Sequence, residues 1–217
     1  MTPGPSPSAS VAEDMLRDGM LACHPSEREL IGDIIGESFC RDPVWVGFFP
    51  PLSRFHGTRA FFLAAADYVM KEGHLLRSQK DGGAFLGFMD HARFSMRRML
   101  EGNVEKTTAG LLSAVGMEEM RGLWGMADAY DRSVHGSPEL SGDIYLFLFF
   151  TAAPWRGKGE GSKIMRSLIS SLDRRGLSCS LSTHNRKNLD LYRHLGFRVV
   201  LEQSNSRGDG EFFLYHP

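Results

Sequence analysis

The run Arg156-Gly157-Lys158-Gly159-Glu160-Gly161 places three glycines at alternate positions between an apolar stretch and a segment of helical periodicity. Without side chains, backbone N–H groups there can be approached directly by a ligand. At a helix N-terminus four amides lack intrahelical partners, and the macrodipole favours negative charge. A turn of this kind is a cradle for phosphate. Arg156 and Lys158 add positive charge, whereas Glu160 opposes an anion unless its side chain turns away. The spacing is neither the dinucleotide GxGxxG nor a Walker loop, because the third glycine comes one residue early and no Gly-Lys-Ser/Thr follows. The structural alternative for these six residues is a plain strand-to-helix turn.

Further on, Asn188 and Tyr192 stand four apart and share one face of an expected helix over 186–195, one turn after Asn185. Asn185 suits the N-cap at the end of a strand, and Gly196 suits a left-handed stop. Leu191 and Leu195 are expected on the adjacent, core-facing stripe. Two amides and a phenol thus point to one side. Taken singly, each has an ordinary role as cap, half-buried aromatic or terminator.

Together the two clusters resemble the acetyl-CoA-binding and C-terminal motifs of the GNAT N-acetyltransferase superfamily: strand, Arg/Gln-x-x-Gly-x-Gly/Ala, helix, strand, then Asn followed by Tyr-x-x-x-Gly-Phe. The motifs run here from Arg156 to Gly161 and from Asn185 or Asn188 to Phe197, within a core over 143–216. Asp42-Pro43 with the aromatic loop 44–51, and the segment 93–142, resemble the branch that includes puromycin N-acetyltransferase. Ala153 stands where proline is usual, Thr151 where valine is common, and Glu160 where an apolar residue is typical. None of these departures removes a backbone donor.

The resemblance implies acetyl-CoA as co-substrate. Its pyrophosphate is expected on the amides of Gly157, Lys158, Gly159, Glu160, Gly161 and Ser162. Its pantetheine arm is expected to pair like an extra strand with Phe149, Phe150 and Thr151, whose amides polarise the thioester carbonyl. Asn188 is expected to hydrogen-bond the cofactor and Asn185 to shape the strand end. Tyr192 is the expected general acid: a phenol near pKa ~10 stays protonated beside a thiol near ~8.5. Trp45, Phe48 and Phe49 either line an acceptor pocket or form a hydrophobic plug. Trp124 and Tyr130 are expected to cover the same region, which suits a small, partly apolar amine. No general base is assigned, since Asp90, His91, Glu118, Glu119, Asp143 and a water chain are all conceivable. His24, His56, His74, His135, His184 and His194 form no metal-ligand spacing, so they read as structural or solvent-exposed and no metal is expected.

The elements that must hold these residues are legible in outline. Periodicity predicts strands over 20–23, 74–78, 84–90, 143–151, 177–183, 197–202 and 211–215. It predicts helices over 26–39, around 61–69, and over 162–175 and 186–195. The fold class is α/β (α+β), a GNAT-like single domain over 13–217 with a mixed central sheet of about six to seven strands flanked by helices. A helical insertion over 93–142 precedes the central strand, and residues 1–12 read as a flexible tail.

Twenty-five basic residues against 26 acidic ones give no reason to expect nucleic acid. No stretch approaches the ~18 apolar residues of a membrane span. Three dispersed cysteines suit a reduced, cytoplasmic protein, monomer or homodimer. A non-catalytic acyl-CoA-binding regulator remains the alternative function. A nucleotide-binding domain fails on glycine spacing and on the missing acidic ribose ligand.

Overall fold

Strand β4 (Ile144–Thr151) is apolar along almost its whole length, the pattern of a strand covered on both faces. In the computed structural model, which describes residues 4–102, 109–204 and 210–217, it is the middle strand of seven. The sheet runs β1 (Leu21–Ala22), β2 (His74–Gln79), β3 (Gly82–Asp90), β4, β5 (Cys179–Thr183), β7 (Gly210–His216), β6 (Arg198–Ser204). Every pairing is antiparallel except β4 with β5.

One face is covered by α2 (Arg28–Phe39), α3 (Pro43–Phe48), α4 (Arg54–Glu72), α5 (Met96–Glu101) and α6 (Ala109–Gly136). The other is covered by α1 (Pro7–Arg17), α7 (Glu160–Arg175) and the short α8 (Leu189–His194). Helix α7 buries Ile164, Met165, Leu168 and Leu172 on one stripe and stops at Gly176 in the left-handed region (φ 61°). The expected insertion is thus α5 and α6 with a short 3₁₀ turn on each side, and α6 kinks at Gly116 (φ 77°). Its residues 103–108 lie outside the described residues.

The register of β4 holds a mismatch. Gly87 of β3 pairs with Leu148 and Phe88 with Leu146, leaving Phe147 as an extra residue, a β-bulge. Parity flips there: Tyr145 packs with the α2–α6 face, Leu146 with the α7 face, and then Leu148 and Phe150 return to the α2–α6 face.

Several expectations need correction. Residues 7–12 are not a flexible tail but the first part of α1. Ser6 caps its start by accepting from the Ala9 amide (3.4 Å), Pro7 sits at the first helical position, and Val11, Ala12 and Met15 are buried. The Pro- and Ser-rich composition that suggests disorder is here a helix-start signal. Residues 43–48 are helical where a loop was expected, because Asp42 caps Val44 (3.1 Å) and Pro43 opens the helix. Helix α7 starts two residues before the expected Ser162, and residues 186–188 form a 3₁₀ turn ahead of α8. Leu191 is exposed, and the buried face of α8 is Leu189 and Tyr192.

Candidate active site

Strands β4 and β5 pair only from Ile144–Cys179 to Leu146–Leu181, then separate one residue before the bulge at Phe147. Beyond that point, the β5-side edge of β4 over residues 147–151 has no strand partner among the described residues. A row of main-chain donors and acceptors on an open edge is a template for another extended chain. Phe149, Phe150 and Thr151 lie on this stretch. Phe150 stacks on Phe85 (4.7 Å between centroids), so its contribution to the notch is main chain.

The glycine-rich turn stands at the end of that edge. Gly157 (φ 74°) and Gly159 (φ 82°) are left-handed, and a Cβ built on either meets nothing within 4 Å. Gly159 is the N-cap of α7, and Lys163 is the first helical amide to close back on the turn, onto the Gly159 carbonyl (2.9 Å). The amides of Gly159, Glu160, Gly161 and Ser162 therefore carry the free donors of a helix start. Gly161 packs close to β4: a Cβ there would lie 3.2 Å from Thr151 Oγ1 and 3.3 Å from Phe149 Cζ.

The charged residues of the turn divide their roles. The Glu160 side chain does turn away, towards the β2–β3 hairpin, where Oε1 accepts from Gln79 Nε2 (3.0 Å). Ser78 and Gln79 hold its carboxyl below the ordinary range. Lys158 lies over the Trp155 ring (5.3 Å), at the rim. Arg156 is tied back: Nε donates to the Thr151 carbonyl (3.1 Å) and Nη2 to Ser38 Oγ (3.2 Å), joining the end of β4 to α2. The turn thus offers an anion bare amides, with one cation beside them and the acidic side chain withdrawn. Free amides, the open strand edge and the close seat of Gly161 fit a diphosphate carrying an extended thioester arm.

Across the notch, Asn188 and Tyr192 both line a cavity of about 120 Å³, as a shared face requires. Asn188 Nδ2 donates weakly to Thr183 Oγ1 (3.4 Å). Asn185 does not line the cavity. Its Oδ1 accepts from the Lys187 amide (3.1 Å) and its amide donates to Thr183 Oγ1 (3.2 Å), so it fixes the end of β5. Burial raises the Tyr192 phenol well above its ordinary value, with Cys179 nearby adding to the shift. Its hydroxyl has no hydrogen-bond partner among the described residues. A phenol kept protonated, buried at a cavity wall and unengaged is a donor in waiting.

On the opposite side the same cavity is walled by Trp45, Phe61, Phe62 and Met126. Of the three aromatic residues expected there, only Trp45 reaches it. Phe48 and Phe49 line a separate recess with Glu118, Glu119 and Gly122, and pack as a plug between α3 and α6. None of the five carboxylates and histidines considered as bases lines the cavity. Asp90 accepts from the Ser8 amide (2.8 Å), and Asp143 from the Ser178 amide and hydroxyl (2.9 and 2.8 Å). His91 is buried against Tyr145 and His135, and burial, with His135 adding, pushes its pKa down to about 4.

The floor joins Tyr130 and His184 to three groups without a sequence signal of their own, Tyr145, Ser182 and Glu211. Tyr130 Oη hydrogen-bonds Tyr145 Oη (2.5 Å) and Ser182 Oγ, linking α6, β4 and β5. Burial raises both phenols, and the Glu211 carboxylate raises Tyr130 further. His184 lines the cavity and pairs through Nε2 with Glu211 Oε1 at 3.0 Å. The β5–β7 register shows how this pair arises: Ser182 faces Phe213 and Thr183 faces Phe212, so the next position sets His184 against Glu211. The signal lay in the even positions Ser180, Ser182 and His184, but its partner is visible only once β7 is placed beside β5.

Residues 112–213 match the family described as Acetyltransferase (GNAT) domain. No curated protein matches the sequence. Among solved structures, one described as histone acetyltransferase HPA2 and related acetyltransferase from Corynebacterium glutamicum superposes with TM-score 0.60 at 18% identity, over 91% of this chain and 94% of that one. A Drosophila melanogaster polyamine N-acetyltransferase, described as forming N-acetylagmatine, gives 0.59 at 11% identity over 90% and 97%. An agmatine N-acetyltransferase gives 0.57 at 12% over 90% and 97%. The family match covers just under half of the chain, and the fold over nine-tenths of it is that of solved acetyltransferases. Neither finding singles out the puromycin N-acetyltransferase branch.

Proposed function

We propose that this protein transfers the acetyl group of acetyl-CoA to the primary amine of a small molecule, by direct attack of the amine on the thioester. The observation that carries the reading is the open edge of β4 over residues 147–151, with free amides at one end and the Tyr192 phenol across the gap. Gly157 to Ser162 would hold the diphosphate, Phe149 to Thr151 the pantetheine arm, and Asn188 its polar groups. The main-chain amides of β4 would draw charge onto the thioester oxygen, and Tyr192 would hydrogen-bond the departing sulfur. Trp45 would meet the acceptor.

A small acceptor is supported by the small volume and aromatic wall of the cavity, and by the names of two structural neighbours, which act on agmatine and polyamine. Three unpaired cysteines support a reducing, cytoplasmic setting, and the reading keeps monomer and homodimer both open.

Two measurements test it. Calorimetry with coenzyme A is expected to show saturable binding. Thiol release from acetyl-CoA is expected with at least one of phenethylamine, agmatine, spermidine and a lysine peptide. Binding without release by any amine would favour the acyl-CoA-binding regulator, and no binding at millimolar coenzyme A would end both readings.

A further inference from the structure

We propose that His184, held by Glu211, is the group that accepts the amine proton in this reaction; the assignment rests on the acetyltransferase reading above. It replaces the expectation that His184 is structural or solvent-exposed.

Three observations converge. First, His184 is the cavity-lining residue whose side chain combines an imidazole nitrogen with a bound orienting partner. The other titratable groups on the same wall are Asp42, which caps α3 through its contact with Val44, and the raised phenols Tyr130 and Tyr192. Second, Glu211 is almost fully buried and both its oxygens are engaged: Oε1 with His184 Nε2 (3.0 Å) and Oε2 with Gln203 Nε2 (2.8 Å). Gln203 is itself anchored, through Nε2, on Ser133 Oγ (2.7 Å). A carboxylate so placed selects the tautomer with hydrogen on Nε2 and leaves Nδ1 as a bare acceptor. No described residue hydrogen-bonds Nδ1. Third, the sides are right. The strand alternation puts Ser182 and His184 on the α2–α6 face, with Tyr130 and Phe213, while Tyr192 belongs to the α7–α8 side. A proton acceptor and a sulfur-facing donor thus flank the gap between β4 and β5.

The step balances without a further reactant. The amine lone pair forms the N–C bond to the thioester carbonyl carbon, and the proton shed by nitrogen passes to His184 Nδ1. The C–S bond breaks, its electron pair stays on sulfur, and Tyr192 hydrogen-bonds the thiolate. His184 returns its proton to water, and the thiolate takes one up as coenzyme A leaves. Glu211 touches no substrate and is a positioning residue.

The test has an arm independent of turnover. Long-range ¹H–¹⁵N correlation spectra of histidine-labelled protein, with His184 assigned by its loss in His184→Asn, are expected to show Nε2 protonated and Nδ1 bare. In Glu211→Gln the two tautomers are expected to mix. In the second arm, kcat/KM with whichever panel amine is turned over falls roughly 10²–10⁴-fold in His184→Asn, the usual worth of a positioned base. Glu211→Gln lowers kcat about tenfold while leaving the amine KM in place. Coenzyme A affinity measured by calorimetry stays within twofold in both variants, which reports that the fold is intact. A protonated Nδ1, or undiminished turnover in His184→Asn, overturns the assignment while leaving acetyl transfer standing. If the wild-type protein binds coenzyme A yet acetylates no amine in the panel, the acyltransferase reading falls and takes this assignment with it.

Discussion

The two sides of the gap between β4 and β5 are made of different material. The side that would hold the thioester is mostly main chain: left-handed glycines, helix-start amides and an unpaired strand edge. The side that would receive the amine is mostly side chain: Trp45, Phe61, Phe62, Met126, Tyr130 and His184, drawn from three helices and a strand end. Main-chain recognition demands particular backbone angles and tolerates few residue types, so it leaves a readable signature. Side-chain recognition can be rebuilt with other residues on the same scaffold, as function grafted on a fold commonly is.

The sharpest way to break this comparison is Tyr192→Phe. Removing one hydroxyl from the main-chain side is expected to lower kcat roughly 10²–10⁴-fold, with coenzyme A affinity unchanged by calorimetry. Undiminished kcat would move the donor elsewhere. Next comes Gly159→Val. A β-branched residue at φ 82° is strained, so the turn must rearrange, and coenzyme A affinity is expected to fall about tenfold, near 1.4 kcal/mol. Equal binding by the variant would show that the cradle does not depend on that backbone angle.

On the amine side the expected effects are smaller and of another kind. Trp45→Phe keeps the packing of α3 but reshapes the wall. The amine KM is expected to change roughly three- to tenfold, the scale of an altered apolar contact, with coenzyme A binding unaffected. An equal effect on both ligands would erase the division of labour between the sides.

Asp14 sharpens the comparison through stability. It sits buried on α1 and accepts from Arg175 Nε and Nη2 (2.7 and 2.9 Å) and from Ser171 Oγ (2.8 Å), joining the first helix to the end of α7. Arg175, first among these partners, holds its carboxyl far below the ordinary 3.8. A depressed folded-state pKa stabilises the protein fully above that ordinary value, and the contribution drains away as pH falls towards the folded value. Asp14→Asn is expected to lower Tm by roughly 3–8 °C at pH 7. At pH 3 the gap between variant and wild type narrows, which thermal scans at the two pH values would show. The smallest effect belongs to Glu118→Gln and Glu119→Gln, expected to leave kcat/KM unchanged because both residues border the separate recess beside Phe48. A large loss in either would return the search for a base to α6.

How much of this was legible follows the same division. Alternate glycines, Asn188 and Tyr192 at helical spacing, and the apolar run of β4 point to the notch from sequence alone. The helix over residues 7–17 was obscured because proline and serine signal both disorder and helix starts, and Val11 and Met15 reveal their role only with α7 packed against them. The difference between Trp45 and its neighbours Phe48 and Phe49 depends on how α3 rotates over α4 and α6, which no local pattern records. The His184–Glu211 pair joins residues distant in sequence through a strand register, and register is a tertiary fact.

The odd count at Phe147 has a consequence for how such a gap persists. A chain one residue shorter there would match β3 position for position, with Leu148 still opposite Gly87 and Phe150 still opposite Phe85, so the side chains from Leu148 to Thr151 would keep the faces they now serve. Phe150 would keep its stack on Phe85, but the local kink of the bulge would go, and with it the irregularity beside which β5 parts from β4. An opening of this kind is tied to a count of residues, so a single-codon deletion acts on it directly where a substitution does not.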